Sequence, residues 1–179
     1  MSISTIREAH PGDAPSMAKV HVDTWRAAYR DILPAGFLAS LSYQTTTEGW
    51  QKAFAELRTP EEAVFVAENE AGEIVGLASC GPERGHDPLY QVEIYNLYVL
   101  PACQRQGIGQ RLVAACAGCL IQRLGAQTLL IWVMAENPYR SFYEALGGRT
   151  VRKKTVEVGG MTVMDIGYGW DDISGLVRI

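Results

Sequence analysis

Cysteine is scarce and histidine scarcer. Four cysteines (80, 103, 116 and 119) and three histidines (10, 21 and 86) stand in 179 residues. Cys116-x-x-Cys119 has no second pair to complete a zinc set, and no histidine stands at ligand spacing from it. It also falls inside an apolar helical stretch, where cysteine is commonly a small buried residue. We therefore expect no metal and a reducing, cytoplasmic setting. No basic run reaches five residues, and 16 Lys and Arg against 20 Asp and Glu leave a net charge of −4. That excludes the usual nucleic-acid surface and polybasic membrane attachment. Long apolar runs are missing too: Leu112 to Ile121 and Leu129 to Ala135 fall short of the roughly 18 residues of a membrane span. The residues from Met1 to His10 carry charges and no apolar core, so no signal peptide is expected. There is no repeat, low-complexity tract or linker. The chain is long enough to bury a real core, and we read one domain over 1–170, followed by a tail, 171–179.

What is present centres on Val99-Leu100-Pro101-Ala102-Cys103-Gln104-Arg105-Gln106-Gly107-Ile108-Gly109-Gln110. A β-branched, apolar run ends at Pro101, which has no amide hydrogen and cannot extend a ladder. A polar loop follows. Two glycines then open a helical pattern whose inward face is Ile108, Leu112, Cys116 and Leu120. The first amides of a helix have no partner within it and lie at the positive end of its dipole. Glycines at 107 and 109 would let a phosphate reach them; equally, they would suit a turn that needs small residues for packing. A P-loop is excluded because this stretch has no Lys followed by Ser or Thr. A dinucleotide fingerprint is disfavoured because position 112, where a third glycine belongs, is Leu.

In chain order, Ile3 to Glu8 alternates as a strand, and Asp13 is the expected N-cap of a helix to about Arg30. That helix should turn Met17, Val20, Thr24, Ala27 and Ala28 inward. A second helical region, Phe37 to Leu57, is expected to break within Tyr43 to Gly49. Ala63 to Glu68 and Ile74 to Cys80 form a hairpin about Asn69 to Gly72. Gly81 to Pro88 reads as a loop and Gln91 to Leu100 as a central strand. The helix from Gly107 stops at Gly125. Thr128 to Met134 reads as a strand covered on both faces, and Pro138 to Leu146 as a short helix. Val151 to Val158 and Met161 to Tyr168 flank the turn Gly159-Gly160. The class is α+β.

Gln104-x-x-Gly107-x-Gly109 resembles the acyl-CoA pyrophosphate loop of the GNAT superfamily of N-acetyltransferases. The later block Asn137-Pro138-Tyr139-Arg140-Ser141-Phe142-Tyr143, ending in Gly147-Gly148, resembles that family's second signature. Together they cover roughly Glu73 to Trp170. The resemblance implies a mixed, mostly antiparallel sheet of about seven strands, splayed in the middle and flanked by about four helices. It further implies that acetyl-CoA is the co-substrate. Main-chain groups of Leu97, Tyr98 and Val99 would then face the pantetheine. Gln104, Arg105, Gln106, Gly107, Ile108, Gly109 and Gln110 would hold the pyrophosphate, and Asn137 would bond the pantetheine. Tyr143 would lie near the sulfur. Dimers are common in the family, and the closing hairpin could supply an edge for one.

The chemistry has its own demands. An alkylamine with a pKa near 10 must lose its proton before attacking a thioester. The oxyanion needs a donor, for which an unpaired strand amide at 97–99 is suited. The leaving sulfur needs a proton or a strong hydrogen bond. Full transfer from a tyrosine (about 10) to a simple thiolate (about 8.5) is uphill by roughly 2 kcal/mol, so Tyr143 is expected to act as a hydrogen-bond donor. The family pattern selects it over Tyr139. Glu93 is the expected base, directly or through water, with Asp87, His86 and Glu136 behind it. A solvated strand end accounts equally for Glu93. Trp25, Tyr29 and Tyr90 are expected to line the acceptor site, although Trp25 and Tyr29 also read as core aromatics. The expected activity is transfer of an acetyl group to a primary amine of a small molecule or peptide by direct attack. A non-catalytic acyl-CoA-binding module is the alternative.

Overall fold

The computed structural model describes residues 3–56 and 60–178. Among these, seven strands join in one sheet in the order β1-β2-β3-β4-β5-β7-β6. The elements run β1 (Ile3–Glu8), α1 (Ala14–Ala28), α2 (Ala35–Ser40), α3 (Tyr43–Glu56), β2 (Ala63–Asn69), β3 (Ile74–Pro82), β4 (Val92–Val99), α4 (Ile108–Leu124), β5 (Leu129–Met134), α5 (Ser141–Ala145), β6 (Arg149–Val158) and β7 (Met161–Trp170). Short 3-10 turns cover Pro11–Asp13, Pro101–Cys103 and Ser174–Arg178. There are thus five α-helices where about four were expected. The fifth arises because the second helical region is two helices. No described helix is long and apolar enough to cross a membrane.

The sheet is packed on both faces. On one, α4 turns Ile108, Leu112, Cys116 and Leu120 inward, each at most 2% exposed. They meet Ala78, Cys80, Ile94 and Leu129 in the largest apolar cluster. Each such leucine or isoleucine contributes about 1.5–3 kcal/mol by leaving water. Gly125, at φ 63°, ends the helix in the left-handed conformation, its N–H donating to Ile121 O. The segment after Trp170 joins the same cluster through Ile173 and Leu176. On the opposite face, Met17 and Val20 of α1 and Trp50 of α3 pack on Val64, Val66 and Leu77.

Several local expectations are corrected. Asp13 holds the expected N-cap position of α1 but makes no side-chain cap bond; its carboxylate takes both Arg7 Nη1 and Nη2 at 2.7 and 3.0 Å and the His10 N–H at 2.9 Å. Ala27 is exposed; next to it, Arg26 donates to Leu38 O and Leu41 O and so ties α1 to α2. The second helical region breaks before Tyr43, and the Tyr43–Gly49 stretch is helical. Ser42 Oγ accepts the Thr45 N–H at 3.3 Å, an N-cap that offsets the weak helix formers after it. Leu57, the expected end of that region, lies outside the described residues. Gly81 and Pro82 belong to β3. The short helix contracts to Ser141–Ala145, because Asn137 Oδ1 accepts the Tyr139 N–H and holds a turn there first.

The feature that positions the site lies between β4 and β5. They pair in parallel only at Val92↔Leu129, Glu93↔Leu130 and Ile94↔Ile131, while β5 stays paired with β7 to Met134. A bulge leaves Tyr95 without a partner on β3, between Asn96↔Ser79 and Ile94↔Cys80. Bulges bend a strand and increase its twist. Beyond Ile94, β4 therefore leaves β5.

Candidate active site

The opening between β4 and β5 is a cavity of about 860 Å³. It is bounded by the β4 main chain, the glycine loop, α5 and a face of the β5-β7-β6 ribbon. Its floor is set by strand alternation. Leu100 N donates to Val75 O at 2.9 Å, so Leu100 turns toward β3. Val99 turns the other way, and so does Leu97 two residues earlier, while Tyr98 faces β3. The Val99 carbonyl is taken by Gln104 Nε2 at 3.1 Å and Thr24 Oγ1 at 3.4 Å. The remaining outward amides of Leu97 and Val99 face the opening.

At one end stands the glycine loop. Gly107 adopts φ 79° and Arg105 φ 61°. The left-handed conformation is free for glycine but costs an L side chain about 1–2 kcal/mol. No side chain caps α4, so its first amides are open to a ligand. Gly109 has a second reason to be bare, since a Cβ there would stand 3.1 Å from Phe142 Cζ. Close packing thus accounts for Gly109, and the left-handed backbone for Gly107. Leu97, Tyr98, Val99, Gln104, Arg105, Gly107, Ile108, Gly109, Gln110 and Asn137 all border the cavity. Gln106 does not; its Nε2 donates to Ala102 O at 3.3 Å.

The middle is aromatic. Tyr143 is buried and stacks on Tyr168 at 5.5 Å; burial pushes its phenol well above the ordinary value. Asn137 Nδ2 donates to Tyr29 Oη at 2.9 Å, and Trp25 lies 4.9 Å from the Tyr29 ring. Tyr98 stacks on His21 at 4.6 Å and donates to Asn96 Oδ1, and desolvation raises its pKa to about 12. Trp25 and Tyr29 border the cavity. Tyr90 does not. Its ring lies against Gly169, where a Cβ would stand 2.5 Å from the ring.

At the other end, Glu93 is buried at 3% exposure, which excludes a solvated strand end. It borders the cavity but is held by Arg84, with Nη2 at 2.6 Å from Oε1 and Nε at 3.2 Å from Oε2. The Arg84 guanidinium lies 4.0 Å over the Tyr95 ring. Of the other carboxylates considered, Asp87 pairs with Arg152 at 2.8 and 3.2 Å. Neither Asp87, His86 nor Glu136 borders the cavity. Among the lining residues that the sequence did not reveal are Trp132, Lys154 and Asp165. The available signal was a charged residue on each of two strands beside a tryptophan in an apolar one. No cluster of three or more metal-ligating side chains occurs among the described residues.

A family model described as "Acetyltransferase (GNAT) domain" matches residues 60–147. The uncharacterized N-acetyltransferase YuaI of Bacillus subtilis is 38% identical over 172 residues, covering 96% of this chain and 95% of that protein. Among solved structures, the PaiA N-acetyltransferase of Thermoplasma acidophilum in complex with coenzyme A superposes with a TM-score of 0.70 at 18% identity. That match covers 92% of this chain and 98% of the other. YncA of Salmonella typhimurium, a putative acetyltransferase with its cofactor acetyl-CoA, gives 0.71 at 20% identity, covering 96% and 94%. With the splayed sheet and the bare helix N-terminus, these likenesses agree on one assignment: the chain belongs to the GNAT superfamily of N-acetyltransferases.

Proposed function

We propose that the cavity binds acetyl-CoA and that the protein transfers its acetyl group to a primary amine of a small molecule or peptide, by direct attack within a ternary complex. The observation that carries this reading is the early parting of β4 from β5 after Ile94, which leaves strand amides beside a cavity that reaches the uncapped end of α4. The residues present fit the coenzyme. A diphosphate meets the amides of Ile108, Gly109 and Gln110, with Gln104 and Arg105 beside it. The pantetheine amides meet Leu97 and Val99 as an added strand would, and Asn137 supplies a side-chain amide.

Acetyl transfer forms a C–N bond and breaks a C–S bond. The Leu97 or Val99 N–H donates to the oxygen of the tetrahedral intermediate, an interaction that strengthens as charge develops. Tyr143 donates a hydrogen bond to the departing sulfur. Its raised pKa makes full proton transfer costlier than the roughly 2 kcal/mol expected for an ordinary tyrosine, so donation without transfer is its role. Glu93, clamped by Arg84, orders a water that carries the amine's proton away rather than taking it directly.

Thermal unfolding with and without coenzyme A, together with thiol release from acetyl-CoA over an amine panel, tests this reading. At a coenzyme concentration of about 100 Kd the fold should gain about 2.7 kcal/mol, or about 5–10 °C for a chain of this size. No shift at millimolar coenzyme overturns the proposal.

A further inference from the structure

We infer that Asp165 selects the acceptor: it receives an alkylammonium borne on an apolar arm, and the site disfavours an amine that carries its own carboxylate. This rests on the acetyltransferase reading above and names the substrate class of the same site. In register, Asp165 of β7 stands opposite Met134 of β5 and Lys154 of β6. Directly opposed residues share a sheet face. That face, with Trp132 and Val156, is one wall of the cavity.

The charges on this wall are unequal. Glu93 is taken by Arg84. The Lys154 ammonium lies 3.9 Å over the Trp132 ring. Asp165 has neither an ion pair nor a side-chain hydrogen bond among the described residues, and it is half-buried. Burial raises its carboxyl pKa; Glu136, from the turn after β5, pushes the same way, and Lys154 opposes them. The hydroxyl of Tyr29, which caps the C-terminus of α1, also feels its charge. A desolvated anion short of a counter-ion gains most from a cation that arrives. The Trp25 and Tyr29 rings offer that cation π faces, and Met134 and Val156 suit an apolar arm. An α-amino acid would bring a carboxylate into the field of Asp165 and Glu136, with Arg84 paired to Glu93 and Lys154 drawn over the Trp132 ring.

Saturation-transfer NMR with phenethylamine and phenylalanine tests this, since the two share an arm and differ by one carboxylate. Wild-type protein should bind phenethylamine at least about 10-fold more tightly. Asp165→Asn should shrink that gap to within about threefold, and Asp165→Glu should restore part of it. A melting curve confirms that each variant is folded. Equal or tighter binding of phenylalanine, no binding of phenethylamine, or a preference unchanged in folded Asp165→Asn overturns the inference. The readout needs no turnover. An absence of coenzyme stabilisation would sink the acetyltransferase reading, and this inference with it, whereas an absent amine preference beside intact coenzyme stabilisation would sink this inference alone.

Discussion

At the residue scale, Tyr143 and His21 make separable statements. A hydrogen bond to a developing thiolate is charge-assisted and contributes about 1.5–3 kcal/mol. Tyr143→Phe should therefore lower kcat about 10–100-fold while KM for acetyl-CoA stays within about twofold, as steady-state kinetics would show. An equal loss in both parameters would point to a packing role against Tyr168. His21 is packed among Trp25, Trp50 and Tyr98. Its Nδ1 has no partner among the described residues, and burial lowers its pKa to about 4. The unfolded ring takes a proton near 6.5, so between pH 6.5 and 4 the unfolded state binds more protons. Stability should be whole above that window and fall through it by up to about 3 kcal/mol. Denaturant titrations of His21→Phe should show a shallower decline over the same range.

At the scale of elements, the glycine loop and α4 were legible because two strong local signals coincide there: a four-residue apolar repeat and a glycine at a left-handed position. Gly107→Ala should cost about 1–2 kcal/mol through backbone strain alone and weaken coenzyme binding, both measurable by thermal titration. Gly109→Ala tests something different, because its methyl would meet Phe142 of α5. The hairpin β6–β7 was equally plain from its Gly-Gly turn. The start of α3 is set by its Ser42 cap, which residue propensity alone does not show. The acceptor wall was legible only in part: the hairpin turn sets Lys154 opposite Asp165, but Trp132 joins them because β7 pairs with β5 on its other side, a long-range pairing with no local trace. Glu93 stood out as a carboxylate in an apolar strand, but its guanidinium partner nine residues earlier did not.

At the scale of the molecule, the segment after Trp170 is part of the core. Ile173 is wholly buried and its N–H donates to Gln127 O at 3.0 Å. Ile173→Ala should cost about 2–5 kcal/mol, read as a lowered denaturant midpoint at unchanged slope. A cost under about 0.5 kcal/mol would mean that this segment is dispensable.

The two halves of the sheet are joined along β4 and β5 by very little. Three residue pairs bridge them, helped by Gln91 and Thr128 at the near end and by Asp87, in the loop before β4, which accepts from Arg152 of β6. Amides deep inside a seven-stranded sheet are ordinarily the last to trade hydrogen for deuterium. Those of Leu97 and Val99 should trade as quickly as a frayed margin does. Once a ligand's own amides close the ladder, the same two should become among the slowest in the protein.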